Sequence, residues 1–324
     1  MNSPADLNPV VSAAARPLNA GRRRLGPWLP MLALTWACSP GSGVAAPDFM
    51  AQGGTLLAQP GVPRLRPVVQ GREDYGSADE HMIFQSKVAR SMGLQGMFEA
   101  ARRHLNDKRE MRSRASDLGK AHWWLEWGRT WCSATHPAAA MDAAARQQAS
   151  EAFAKAEQLA TAVEADDVAV DALHMMAFVE TDPASAQRWT EKALARALAS
   201  SQPAARRWEG SLRNNLGVAL MDQGQPAPAL VQFEAALAAR RAAGAKDDQR
   251  RIAEWMVAWA LRVLKRHDEA LAIQERLAQE NDAAKTPDPE VFDEIALLQQ
   301  ARGQDDAAQQ ARARAAALRK TPAR

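Results

Sequence analysis

One short spacing recurs through the second half of this 324-residue chain: an alanine, a bulky or polar residue four positions later, and a small or apolar residue three positions after that. The best copies are Ala149–Phe153–Ala156 and Ala229–Phe233–Ala236, and weaker copies start at Ala186, Ala270 and Ala308. The five starting alanines are 37, 43, 41 and 38 residues apart. Self-similarity at such a period is the signature of stacked helical hairpins. The spacing therefore predicts an all-α solenoid.

Composition agrees with helices and argues against nucleic acid as a partner. Alanine is common, tyrosine occurs once, and Gly and Pro are sparse after residue 80, which favours helices over sheets. The formal net charge of +3 equals the charge of residues 1–45 alone, which contain four arginines and one aspartate. Residues 46–324 are therefore formally neutral, and a neutral body is a poor binder of phosphate groups.

The first 45 residues resemble a secretion signal. Residues 22–24 are three arginines, and residues 25–37 are mostly apolar yet too short to span a bilayer comfortably. Cleavage after Ala45 would place small residues, Gly43 and Ala45, at the two positions that the peptidase recognises. We therefore expect an exported protein of the periplasm or cell envelope. The alternative is a disordered basic tail on a cytoplasmic protein.

Cys38 allows a second interpretation of the same segment. Residues 34–38, Leu-Thr-Trp-Ala-Cys, resemble a bacterial lipobox, although Trp36 departs from that pattern. Lipidation of Cys38 would hold the protein on the membrane without spanning it, and we expect no other membrane contact. If the signal is removed, Cys132 is the only cysteine left. We then expect no intrachain disulfide, and a buried Cys132 that behaves as a small apolar residue.

Three further regions follow the signal. Residues 46–78 are rich in Pro and Gly and predict a flexible linker. Residues 79–118 are compatible with one or two capping helices, interrupted at Gly93 and Gly96. Their role could be a cap, a sixth repeat or a separate contact surface. Residues 119–320 contain the repeats.

The third repeat shows the pattern most clearly. Its first helix contains Gly217 and Leu220, a turn follows at Gly224, and its second helix contains Ala229 and Phe233. These positions resemble the tetratricopeptide repeat (TPR) family. The resemblance implies a right-handed superhelical array of about five hairpins, with Gly217 facing Ala229 where the two helices cross. Because the spacings exceed the usual 34 residues, the chain is similar to the longer-helix branch that includes kinesin light chains.

The other repeats fit the same pattern less evenly. In the first, Trp124, Trp127, Gly128 and Trp131 match the family's bulky, bulky, small and bulky positions, so we expect the tryptophans near them to belong to the core. In the second repeat, either His174 or Ala177 occupies the first-helix position at which the family has a small residue. The sequence leaves that register open.

No sequence pattern indicates catalysis. The chain lacks the nucleophile-elbow, P-loop, dinucleotide-binding and zinc-protease motifs. Its six histidines are scattered, and no pair stands with cysteine at metal-ligand spacing. Acidic pairs such as Asp166-Asp167, Asp247-Asp248 and Asp305-Asp306 are explained by helix starts, where acids favour the helix dipole. We expect a non-enzyme with no metal and no cofactor.

The first helices of the repeats contain the candidate binding residues. Alignment with the third repeat places Trp255 and Trp259 on the inner face of the array, with Arg262 one turn further on. The equivalent positions one repeat earlier are Asn214, Val218 and Met221, and one repeat later Asp293 and Leu297. Trp and Arg are common interface anchors, and an Asn beside them could bind an extended peptide's backbone. Internal packing is the competing explanation for both tryptophans.

These observations predict a non-catalytic scaffold that binds a segment of a partner protein in the concave groove of the array. The alternative is a lipid-anchored structural component of a cell-envelope complex, whose convex or end surfaces make the contacts. We expect a protein or peptide partner in either case, and no nucleic acid.

Overall fold

Every regular element that the structure describes is helical. The structure is a computed structural model that describes residues 77–320, so the expected signal and almost all of the linker lie outside the described residues. Its helices are α1 (Ala78–Leu94), α2 (Phe98–Asp107), α3 (Arg109–Arg114), α4 (Asp117–Arg129), α5 (Ala143–Ala162), α6 (Asp166–Val179), α7 (Pro183–Ala199), α8 (Pro203–Arg206), α9 (Glu209–Asp222), α10 (Pro226–Ala242), α11 (Asp247–Val263), α12 (His267–Ala283), α13 (Pro289–Ala301) and α14 (Asp305–Lys320). A turn of 3₁₀ helix, Ala138–Ala140, lies in the long connection between α4 and α5.

Ten of these helices form five hairpins. Helix α4 packs on α5, α6 on α7, α9 on α10, α11 on α12, and α13 on α14. The second helix of each hairpin then packs on the first helix of the next, and first helices of neighbouring hairpins also touch, as α9 and α11 do. This is the arrangement of a TPR-like solenoid. The predicted all-α array is therefore confirmed.

Local sequence signals start and end the helices. Asp182 and Asp288 each accept a hydrogen bond from a backbone N–H in the first turn, and a proline follows each at the first helical position. The three acidic pairs noted in the sequence open α6, α11 and α14. Gly224 and Gly303 adopt φ of 72° and 73° in equivalent three-residue turns. Glycine adopts such a positive φ without the steric strain that a Cβ atom would cause.

The recurring spacing builds the core of each hairpin. In the first and third hairpins the two alanines and the phenylalanine of the pattern are all 0% exposed. A Cβ added to Gly217 would lie 2.4 Å from the ring of Phe233, and one added to Gly128 would lie 2.5 Å from the ring of Phe153. The missing side chain of Gly217 therefore leaves room for the ring of Phe233.

The second hairpin shows how the same contact tolerates a large residue. Its turn, residues 180–182, is as long as the turn at 223–225 in the third hairpin, which aligns His174 with Gly217. The residue that aligns with Phe233 is then Thr190, which is buried. A large side chain on the first helix is therefore matched by a small one on the second. This exchange of sizes favours the register with His174.

Helices α1 to α3 precede the first hairpin. Helix α1 runs through Gly93 without a break and ends before Gly96, whose φ is 76°. It packs on α2 and along α4. Trp123 of α4 is 3% exposed, and its indole N–H donates to the Leu105 carbonyl oxygen of α2 at 3.0 Å. Trp127 stacks on Trp123 with ring centroids 5.0 Å apart. The tryptophans of α4 therefore join the N-terminal helices to the array.

None of the helices in residues 77–320 combines the length and the apolar character needed to cross a membrane.

Candidate partner-binding face

Helix α11 presents two tryptophans side by side. The ring centroids of Trp255 and Trp259 are 6.1 Å apart, and Trp259 lies at the same distance from the ring of Phe233 in α10. Both tryptophans are half-buried and pack against the main core. The expectation that they share one face is met. Internal packing accounts for part of each ring, and the remainder of each ring is exposed to solvent.

The local sequence explains why α11 is placed this way. Asp247 and Asp248 lie in its first turn and Arg262 in its last, each at the end where its charge favours the helix dipole. The residues that α11 buries completely include Ala253, Ala258 and Ala260. Small side chains let the neighbouring helices approach on that side, which leaves the two large indoles at its border.

Helix α9 adds two aliphatic residues to the same region. Val218 and Met221 are half-buried, pack against the same core as the tryptophans, and lie at the aligned positions one repeat earlier. Helices α9 and α11 are in contact. We call Val218, Met221, Trp255 and Trp259 the aromatic face. It is a partly open apolar surface made by two neighbouring first helices.

Asn214 does not lie on this face. Its side chain is 1% exposed, and both its Oδ1 and Nδ2 atoms are buried without a hydrogen-bond partner among the described residues. We expected an exposed amide. The structure buries it because α9 is covered by α7, α10 and α11. The indole nitrogen of Trp255 is likewise buried without a partner in the described part of the chain. Neither group can bind a peptide backbone in this conformation.

Arg262 is held by the next hairpin. Its Nε donates to Glu294 Oε2 at 2.5 Å and its Nη2 to Glu294 Oε1 at 3.0 Å, a two-pronged pair of the kind that fixes a guanidinium firmly. The side chain of Glu294 is only 9% exposed. Arg262 therefore joins α11 to α13 and is not an unpaired cation. Asp293, at the position aligned with Asn214 and Trp255, accepts a hydrogen bond from Arg319 of α14 at 2.6 Å.

A buried carboxylate beside Trp255 was not foreseen from the sequence. Glu254 is 2% exposed and accepts hydrogen bonds from Arg241 at 2.7 Å, Arg250 at 2.9 Å and Arg276 at 2.8 Å. Burial alone would raise its pKa, but the hydrogen bonds from the arginines outweigh burial and lower the pKa. These arginines come from three helices at no regular spacing, so no sequence pattern marks them.

Other candidate chemistry is sparse in the described residues. No group of three or more His, Cys, Asp or Glu side chains within residues 77–320 could hold a metal ion. Cys132 is 0% exposed, as expected of a small buried residue. Trp189 and Trp208 pack against the cores that join neighbouring hairpins. The lipidation candidate Cys38 lies outside the described residues.

Comparison with solved structures identifies the fold. The apo form of RapI aligns with a TM-score of 0.60 at 11% identity, covering 76% of this chain and 68% of RapI. A signal transduction ATPase with numerous domains from Pyrococcus horikoshii, which carries a TPR sensor, aligns with a TM-score of 0.55 at 14% identity. That match covers 70% of this chain and 34% of the ATPase. At these identities the likeness concerns the TPR-like fold alone.

The kinesin-light-chain branch is not established by these comparisons. TPR-like repeats of a kinesin light chain candidate from Podosopora anserina align with a TM-score of 0.48 at 16% identity, covering 65% of this chain and 99% of that one, which is too weak to assign a branch. No family model matches the sequence. No curated protein matches it either.

Proposed function

We propose that this protein is a non-catalytic scaffold that binds a segment of a partner protein on the aromatic face. The observation that supports this most is the partial exposure of four apolar side chains on two adjacent first helices. At the position aligned with Trp255, the third and fifth hairpins have the polar residues Asn214 and Asp293. Aromatic rings at such a surface supply large contact area at low cost in conformational entropy.

The charge around the face suits an apolar partner segment. Arg262 is neutralised by Glu294, and the four side chains of the aromatic face offer rings and aliphatic groups. Interfaces of this kind have an apolar centre and a polar rim. We infer that a partner inserts apolar or aromatic side chains between Trp255 and Met221. The proposal does not use Asn214, because its amide is buried.

The proposal also includes export. It rests on the N-terminal sequence, in which a basic stretch, an apolar stretch and small residues follow one another. In the variant form of the proposal, Cys38 carries a lipid and the array stands at a membrane surface. Labelling with radioactive palmitate tests this directly. Loss of label in Cys38→Ser would support the anchor, whereas an unlabelled wild-type protein that fractionates with the periplasm would support cleavage.

The aromatic face is tested by removing its rings. We expect the double variant Trp255→Ala, Trp259→Ala to weaken partner binding by about 30-fold or more, since a central aromatic anchor contributes about 2 kcal/mol or more to binding. The measurement is crosslinked pull-down from the cell envelope, followed by calorimetry with the purified partner.

The matched control is Trp189→Ala. Trp189 is also half-buried and packs on the same core, but it belongs to α7, a second helix of its hairpin. Circular dichroism should show comparable helix content in both variants. A partner that is lost in Trp189→Ala as well, or retained by the double variant, would contradict a binding role for the aromatic face.

A further inference from the structure

The two ends of the array present different surfaces to solvent. Helix α14 buries only Ala308, Ala311 and Ala315, and its remaining residues are mostly polar, as the last element of a solenoid requires. Helix α1 buries Met82, Ser86 and Ala89. Phe84 lies on the opposite side of the helix from these three residues, because successive residues are about 100° apart around a helix axis. Phe84 is 60% exposed. The N-terminal end thus carries an aromatic ring that a polar cap would lack.

The residues around Phe84 form an ordered surface. Val88, one turn further on, is half-buried, while Glu80 and Lys87 are exposed. Glu80 precedes the ring by four residues and Lys87 follows it by three, so both lie on the same side of α1 as the ring. Neither charge forms an ion pair with any residue in the range 77–320. An apolar centre is therefore flanked by one charge of each sign, and neither is paired within the described part of the chain.

We propose that this surface of α1, formed by Glu80, Phe84, Lys87 and Val88, binds the same surface of a second copy of the chain through a two-fold axis near Phe84. A two-fold axis perpendicular to the helix reverses the order of the charges. Glu80 of each copy then lies beside Lys87 of the other, and the two rings meet in the centre. A parallel arrangement would place like charges together. Such a contact is self-complementary and closed, so it stops at the dimer.

The size of the contact predicts a reversible dimer. Seventeen residues of helix are about 25 Å long, and a single helix pair buries less than the roughly 1,200 Å² of a standard stable interface. The dimer is therefore expected to dissociate on dilution. The aromatic face lies on α9 and α11 and not on α1, so this inference goes beyond the proposed function and can fail independently of it.

Sedimentation velocity of the full chain over a range of concentrations tests the proposal. We expect a concentration-dependent dimer in the wild type and a monomer in Phe84→Glu. Val231→Glu is the matched control, because Val231 is also 60% exposed but lies on α10. Glu80→Lys and Lys87→Glu should each weaken the dimer by about tenfold or more in Kd, and the double exchange should restore it, since close opposite charges at an interface are energetically coupled.

Each outcome decides between the alternatives. A wild-type chain that stays monomeric at every concentration overturns the proposal, as does a dimer that survives Phe84→Glu. A dimer that is lost equally in Val231→Glu would place the contact elsewhere. If Phe84→Glu is monomeric but the double charge exchange does not restore what the single changes remove, the two-fold arrangement is wrong. Circular dichroism of each variant verifies that the helices remain folded.

Discussion

At the scale of single residues, a glycine and a phenylalanine determine how closely two helices approach. Gly128 with Phe153 and Gly217 with Phe233 repeat the same contact in two hairpins. The hairpins without the glycine also lack the phenylalanine: Ala258 aligns with Gly217, and Gln274 aligns with Phe233. The residue on the first helix and the residue opposite it on the second helix therefore change together from one hairpin to the next.

This contact predicts a large effect for one methyl group. Gly217→Ala would place a Cβ within 2.4–2.9 Å of three atoms of the Phe233 ring, and we expect the free energy of unfolding to fall by about 1–3 kcal/mol. Adding Phe233→Leu should recover part of the loss, because the smaller side chain leaves room. Urea denaturation measures both changes.

Gly93 is the control for this substitution. A Cβ added there meets nothing within 4 Å, and Gly93 lies inside α1. Gly93→Ala should therefore raise the free energy of unfolding by about 0.5–1 kcal/mol, since glycine is the poorer helix former. If both substitutions destabilise equally, the close approach of the ring is not the cause.

At the scale of helices, buried charge joins elements that also share an apolar core. Glu254 links α10, α11 and α12 through three arginines, and Glu280 accepts hydrogen bonds from Arg250 at 2.7 Å and Arg276 at 2.9 Å. Charged groups that exchange several hydrogen bonds while partly shielded from water are held in one arrangement. This network sets the position of the helix that carries Trp255.

The network predicts a specific loss of stability. Glu254→Gln should lower the free energy of unfolding by about 1.5–3 kcal/mol, the usual contribution of a hydrogen bond to a charged group. Because the pKa of Glu254 is lowered from 4.5 in the folded protein, its contribution is complete above that value and is lost as the pH falls through the lower folded pKa. Denaturation curves of variant and wild type should therefore converge in acid.

Glu269→Gln supplies the comparison. Glu269 pairs with Arg266 at 2.7 Å, but both side chains are largely exposed, and exposed pairs contribute little. We expect almost no change in stability. A similar loss in both variants would show that burial of Glu254 is unimportant.

At the scale of the whole molecule, buried histidines are concentrated in one half. Burial lowers the pKa of His104, His122, His136 and His174, and for His174 the pKa falls to about 4. All four lie between α2 and α6, and no histidine occurs from residue 175 to 266. We therefore expect the two halves of the array to respond differently to acid.

Acid should loosen the N-terminal half first. A histidine whose pKa is lower in the folded state than its unfolded value of 6.5 stabilises the fold fully above 6.5, and this stability is lost as the pH falls toward the folded pKa. In the C-terminal half, the contribution of Glu254 is lost only below pH 4.5. Burial raises the pKa of Asp288 in that half to about 6, so the titration of Asp288 stabilises this half as the pH falls. Hydrogen exchange at about pH 7 and about pH 5, corrected for intrinsic rates, should show α2 to α6 losing protection before α9 to α14.

One variant identifies the cause of that effect. His174→Gln removes a titrating group and should flatten the pH dependence. Earlier loosening of α9 to α14 would contradict the assignment to the histidines.

The sequence by itself determined the helices and their pairing. The recurring alanine spacing, the acidic pairs at helix starts and the turn glycines act within a few residues, and hydrogen bonds to backbone groups do not depend on distant neighbours. They were enough to predict the hairpins and the shared side of Trp255 and Trp259.

Only the tertiary structure decided which side chains face water and which face each other. Asn214 is buried because α7, α10 and α11 cover α9, and Arg262 meets Glu294 from the following hairpin. Phe84 is exposed because none of the helices within residues 77–320 covers that side of α1. The angle between neighbouring hairpins sets these contacts, and it results from packing between residues that lie about 30 or more positions apart in the chain. A repeat pattern shows which residues are equivalent, but not which of them a neighbouring helix covers.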